Sequence, residues 1–123
     1  MIIKDSVWPA ELTLSLLSGK WKSLALYHIL CLETVRFKEL ERSLGTISSR
    51  ILAKALKELE LNGLVAKMIF PEIPPRTQYT ATWRGRTLFP VLEALYQWGR
   101  EHSDFYGIHH DSEFEEEFQY KAR

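Results

Sequence analysis

TISSRILAKALKELELNG, residues 46–63, repeats its apolar side chains with the period of an α-helix rather than a strand. Leu52, Ala55, Leu56 and Leu59 form one continuous stripe along it. Ser48 is placed to cap its first turn through the hydroxyl, and Ile47 can staple to Leu52. Asn62–Gly63 ends it. Arg50, Lys54 and Lys57 fall at i, i+4 and i+7, so a cationic face stands opposite the apolar one. The stripe anchors such a helix to its own core and leaves the cations for a partner.

Working outward, Pro9 can open a first helix with Leu12, Leu16 and Leu17 on its apolar side and Gly19 as terminator. A second helix is predicted from about Lys20 to Leu32, with Trp21, Leu24, Ala25, His28, Ile29 and Leu32 at helical spacing. A short third follows from about Phe37 to Leu44, and Gly45 frees the chain to turn. After the quoted helix the pattern changes. LVAKMIF and TQYTAT have strand composition, and PEIPPR between them can continue neither strand nor helix. That predicts a two-stranded hairpin over about 64–82 with a stiff tip. Thr82 can cap a long helix from about Trp83 to His102. Leu88, Val91, Leu92, Leu95 and Trp98 share one of its sides, while Phe89 and Tyr96 point elsewhere. Pro90 is expected to bend it or to mark its early turns. Phe114 and Phe118 suit a short final helix within an acidic tail.

A chain of 123 residues suits one domain with a single core. The expected division is 1–103 for the folded domain and 104–123 for the acidic tail. No apolar run approaches the ~20 residues of a membrane span, and MIIKDSVWPAE lacks a secretory core, so a cytoplasmic protein without membrane contact is expected. One cysteine, Cys31, excludes an internal disulfide framework. Net charge is zero, but it is not evenly spread. Between Arg36 and Arg86 stand ten Lys/Arg against five Asp/Glu; from Glu101 onward stand two against seven. Local field governs binding, so the cationic middle outweighs the sum.

A short helix, a tight turn, a helix with a polar outer face and then a hairpin is the order of a winged helix-turn-helix: mainly α with a small β-hairpin. In that arrangement the N-terminal part of the second helix reaches base edges in the major groove. Ser48, Ser49, Arg50, Lys54 and Lys57 are the expected reading face. Arg50 is placed for a bidentate contact to guanine, and Lys54 and Lys57 for phosphates. Arg36 and Lys38, with Arg76, Thr77 and Gln78 of the wing, are the expected backbone contacts, although Arg76 can instead pair with Glu72. The expected partner is double-stranded DNA.

These residues resemble the HxlR-type winged helix-turn-helix transcriptional regulators. SGKW at 18–21, RFKEL at 36–40, LKELELNGLV at 56–65, PEIPPRTQYTAT at 71–82 and PVLEALYQWG at 90–99 follow the family pattern in order. The resemblance implies a homodimer on an inverted-repeat operator, held by the first and the long terminal helices. Trp8, Leu12, Leu16, Phe89, Leu92, Tyr96 and Trp98 would then lie at the interface. Two departures stand out. Many members carry a cysteine before the first-helix proline, where this chain has Trp8, so thiol sensing by that route is not expected. The terminal helix opens Thr82-Trp83-Arg84-Gly85, and an arginine in the first turn opposes the helix dipole. Arg84 and Arg86 are either tolerated on the surface or turned to the phosphates.

Other readings are weaker. Cys31 and His28 lie on the apolar side of the second helix, as a buried thiol and a packed imidazole. His109–His110–Asp111 lacks metal-ligand spacing, so no metal and no cofactor are expected. No catalytic motif is present, and an enzyme is not expected. A rival reading is a winged-helix protein–protein module without a specific DNA site, its cationic face meeting an acidic partner. The tail EFEEEF either folds over that face or packs its phenylalanines and exposes its glutamates. No effector is named by the residues.

Overall fold

The structure, a computed structural model, describes residues 8–45 and 47–108. The final helix expected around Phe114 and Phe118, and His109–His110–Asp111, lie outside the described residues.

Helix α1 spans Pro9–Leu17, and Glu11 accepts a hydrogen bond from the Trp8 backbone N–H at 3.4 Å, half of a capping box. Helix α2, Lys20–Leu32, is the centre of the molecule, with Ala25, Leu26 and Ile29 wholly buried. Strand β1 (Thr34–Arg36), helix α3 (Phe37–Leu44) and helix α4 (Ser49–Leu61) follow. The Ser48 hydroxyl accepts from the Ile51 amide at 3.2 Å, the expected cap, and Ile47 and Leu52 are both buried in the core. The stripe of α4 is fully inward: Leu52, Leu56 and Leu59 have no exposure, and Ala55 very little.

Strands β2 (Val65–Phe70) and β3 (Arg76–Ala81) form the wing, paired in register from Val65↔Ala81 to Phe70↔Arg76. The sheet has three strands rather than the two expected, in the order β1-β3-β2. Strand β1 pairs antiparallel with β3 and sets Arg36 opposite Gln78. Three residues between two helices carry too little alternation to announce themselves as a strand.

The long terminal helix is two helices: α5 (Trp83–Thr87) and α6 (Phe89–His102), broken at Leu88. Pro90 stands in the first turn of α6, where its missing N–H leaves no intrahelical bond unmade. Thr82 ties α5 to the end of α4, donating from its hydroxyl to the Gly63 carbonyl at 2.6 Å and accepting from the Gly85 amide at 3.0 Å. Gly85 is required by contact: a Cβ there would stand 2.0 Å from the Leu64 carbonyl oxygen.

The two faces of α6 are also arranged differently from expectation. Leu92 is buried with Phe89 and Tyr96 beside it, both rings stacked on Tyr27 of α2 at centroid distances of 6.1 and 4.8 Å. Val91, Leu95 and Trp98 face outward. Apolar residues cover both faces of this helix, so periodicity alone could not say which one meets α2; the Tyr27 ring decides it. The chain continues into a 3-10 turn at Ser103–Tyr106, whose Phe105 and Tyr106 are exposed.

Candidate nucleic-acid interface

The positions of Arg50, Lys54 and Lys57 follow from the burial of the opposite stripe of α4. All three are exposed, and among the described residues none forms a salt bridge. Ser48 is exposed and acts as the cap. The Ser49 hydroxyl donates to the Glu41 carboxylate of α3, so it joins the two helices of the helix-turn-helix to one another.

The second group gathers where β1, α3 and the wing meet. A cleft of about 400 Å³ opens there, lined by Arg36, Lys38, Arg76 and Thr77 together with Phe37 and the wing tip 72–75. Gln78 is half-buried beside it, paired to Arg36 across the sheet. The sequence grouped these five residues by charge and position, but strand β1 is what brings them together. Arg76 is held from two sides: its guanidinium lies 4.2 Å from the Phe70 ring centroid and 3.1 Å from the Glu72 carboxylate. Arg36 lies 3.7 Å from Glu39. The Arg36–Glu39 pair is about half exposed, where an ion pair contributes about 0–1 kcal/mol, whereas Arg76 is the more sheltered, at 27% exposure against 52% for Glu72.

Arg86 is structural. Its Nη1 donates to the Ala81 carbonyl at 2.9 Å, bracing the end of β3 against α5, while Arg84 is exposed. Two further cations of the 36–86 stretch, Arg42 on α3 and Lys67 on β2, are also exposed. Only the charge count over 36–86 signalled them.

The remaining titratable groups of interest are internal. Burial pushes the Cys31 thiol up to about 11, with Tyr27 hydrogen-bonded to it, and holds the His28 imidazole down at about 4. Among the described residues no His/Cys/Asp/Glu group is arranged to hold a metal ion, and no helix is long and apolar enough to cross a membrane.

A helix pair whose cationic second helix is capped by Ser48, flanked by a three-stranded sheet that carries the two-stranded wing, defines a winged helix-turn-helix protein. The sequence pattern of the HxlR-like helix-turn-helix family matches residues 16–105. The chain belongs to that family and is a DNA-binding transcriptional regulator. It is 45% identical over 91 residues to an uncharacterised HTH-type transcriptional regulator of Halalkalibacterium halodurans, covering 74% of this chain and 80% of that one. A second such regulator, from Methanothermobacter thermautotrophicus, is 37% identical over 105 residues, covering 83% and 74%. The solved structure of the redox regulator HypR in its reduced form matches with a TM-score of 0.76 at 35% identity, over 81% of this chain and 98% of that one. The family is one of regulators, not of enzymes.

Proposed function

We propose that the protein binds a near-palindromic operator as a homodimer, with Arg50 reading a base and Lys54 and Lys57 holding phosphates. The observation that carries this is the bare cationic face of α4, opposite a stripe with no exposure. Arg36, Lys38 and Arg76 line the cleft beside the wing, and in this reading they hold the flanking backbone. Support for the dimer comes from the exposed apolar side chains of α1 and α6: Trp8, Leu14, Val91, Leu95 and Trp98. Leu12 and Leu16 are half-buried at its edge, whereas Phe89, Leu92 and Tyr96 are already engaged within their own chain. A two-fold axis through α1 and α6 would set two recognition helices about 34 Å apart, one DNA turn.

HypR is a redox regulator. A thiol switch is not carried over to this chain, because its one cysteine is 5% exposed with its thiol pushed up to about 11.

The test is selection of the purified protein from a random duplex library, with Arg50→Ala run beside it. The expected result is a palindromic motif that blurs at one position per half-site in the variant, a loss of about 1–3 kcal/mol of discrimination there. A motif unchanged in Arg50→Ala would place the reading face elsewhere. Salt-sensitive binding with no motif would favour the protein-partner alternative.

A further inference from the structure

Among the described residues the deeply buried charge is Lys22, in the first turn of α2. Its side chain is 6% exposed, in a helix whose other inward residues are almost all apolar. An ammonium is expensive to remove from water unless it is paired, and a chain needing only to fill space would place an apolar residue here. Lys22 is paired on two sides. Its Nζ lies 3.2 Å from the Glu58 carboxylate of α4 and 3.5 Å from the Ser15 carbonyl in the last turn of α1. Helix α1 has no basic residue of its own in that turn, so Lys22 supplies the positive charge its C-terminal end favours.

From this geometry we infer that Lys22 is a positioning residue, a strut that fixes the angle between α1 and the recognition helix α4. Between α1 and α2 lies only Ser18–Gly19, and Gly19 stands at φ +86, ψ 152, a conformation reserved for glycine. Leu17 is the one residue of α1 that is buried, and apolar contacts slide where a hydrogen-bonded ion pair is directional. The inference rests on the proposed dimer, in which α1 carries interface and α4 carries the reading face. Whatever sets α1 against α4 then sets the separation of the two reading faces, and so the spacing of half-sites that the dimer accepts.

The test is the affinity of the selected operator and of copies with one or two base pairs inserted or removed between half-sites, measured by fluorescence anisotropy. Wild type is expected to lose at least about tenfold on a misspaced operator. Lys22→Met keeps the stem and removes the charge. It is expected to stay folded and dimeric, to bind the correctly spaced operator about tenfold more weakly, and to discriminate spacing by less than about threefold. Glu58→Gln, whose changed group is 40% exposed, is expected to relax spacing in the same direction, with a lowered melting temperature because the buried ammonium loses its carboxylate. It decides the matter if Lys22→Met fails to fold. A merely structural role would change the melting temperature and leave spacing preference as in wild type; that result in either folded variant overturns the inference. Wild type that selects no motif overturns the proposed function together with it, whereas a motif with unaltered spacing preference in the variants overturns the strut alone.

Discussion

Helices α4 and α6 are of similar length and both are amphipathic, yet they end up in opposite situations. The stripe Leu52, Ala55, Leu56 and Leu59 of α4 is taken whole by the core, which leaves Ile51 and Leu61 exposed near the two ends of the helix. The apolar residues of α6 lie on two faces, and the core takes one: Leu92 is 4% exposed, while Leu95 and Trp98 are 54% and 57% exposed. What remains outside is mainly polar and cationic on α4, with Ile51 and Leu61 near its ends, and largely apolar on α6. The first is suited to a polyanion, and the second, in the proposed dimer, to another apolar surface.

The largest effect that would separate the two helices is on stability. Leu56→Ala in α4 should destabilise the fold by about 2–5 kcal/mol in a urea titration. Leu95→Ser in α6 should leave the folded monomer within about 0.5 kcal/mol of wild type but shift a sedimentation profile towards monomer. Equal destabilisation by both would mean that α6 has no spare face.

A second prediction concerns α2, against which both helices pack. Burial holds His28 at about 4, against 6.5 in the unfolded chain, so between those values the unfolded state binds the extra proton. Stability is therefore level above pH 6.5 and falls as pH drops towards 4, by up to about 3 kcal/mol. In His28→Gln the melting temperature should follow pH less steeply over that window. An unchanged slope would assign the acid sensitivity to other groups.

The smallest effect tests the outer face of α4. Lys57→Ala should weaken all DNA sequences alike and reduce the magnitude of the salt slope by about one. Sequence-dependent weakening would move Lys57 from phosphate to base.

Much of this was legible without coordinates wherever a local signal existed. The bounds of α2, α3 and α4 agree with apolar period and capping residues, because a helix closes its hydrogen bonds within a few residues of sequence. The wing was legible in PEIPPR, which can be neither helix nor inner strand. Strand β1 was not, because its partner lies more than forty residues away at Thr80, Tyr79 and Gln78. The exposed charges of α4 could be named in advance because the stripe opposite them was unambiguous.

Sequence by itself thus determined the order of elements, the cationic face of α4 and the family pattern, all of which depend on neighbours along the chain. Tertiary structure alone decided which face of α6 turns inward, that Arg86 braces Ala81, and that Ser49 joins Glu41. It also decided that Lys22 reaches both Ser15 and Glu58. Each of these is a contact between segments that no periodicity relates, so its partner can be named only once the chain has folded.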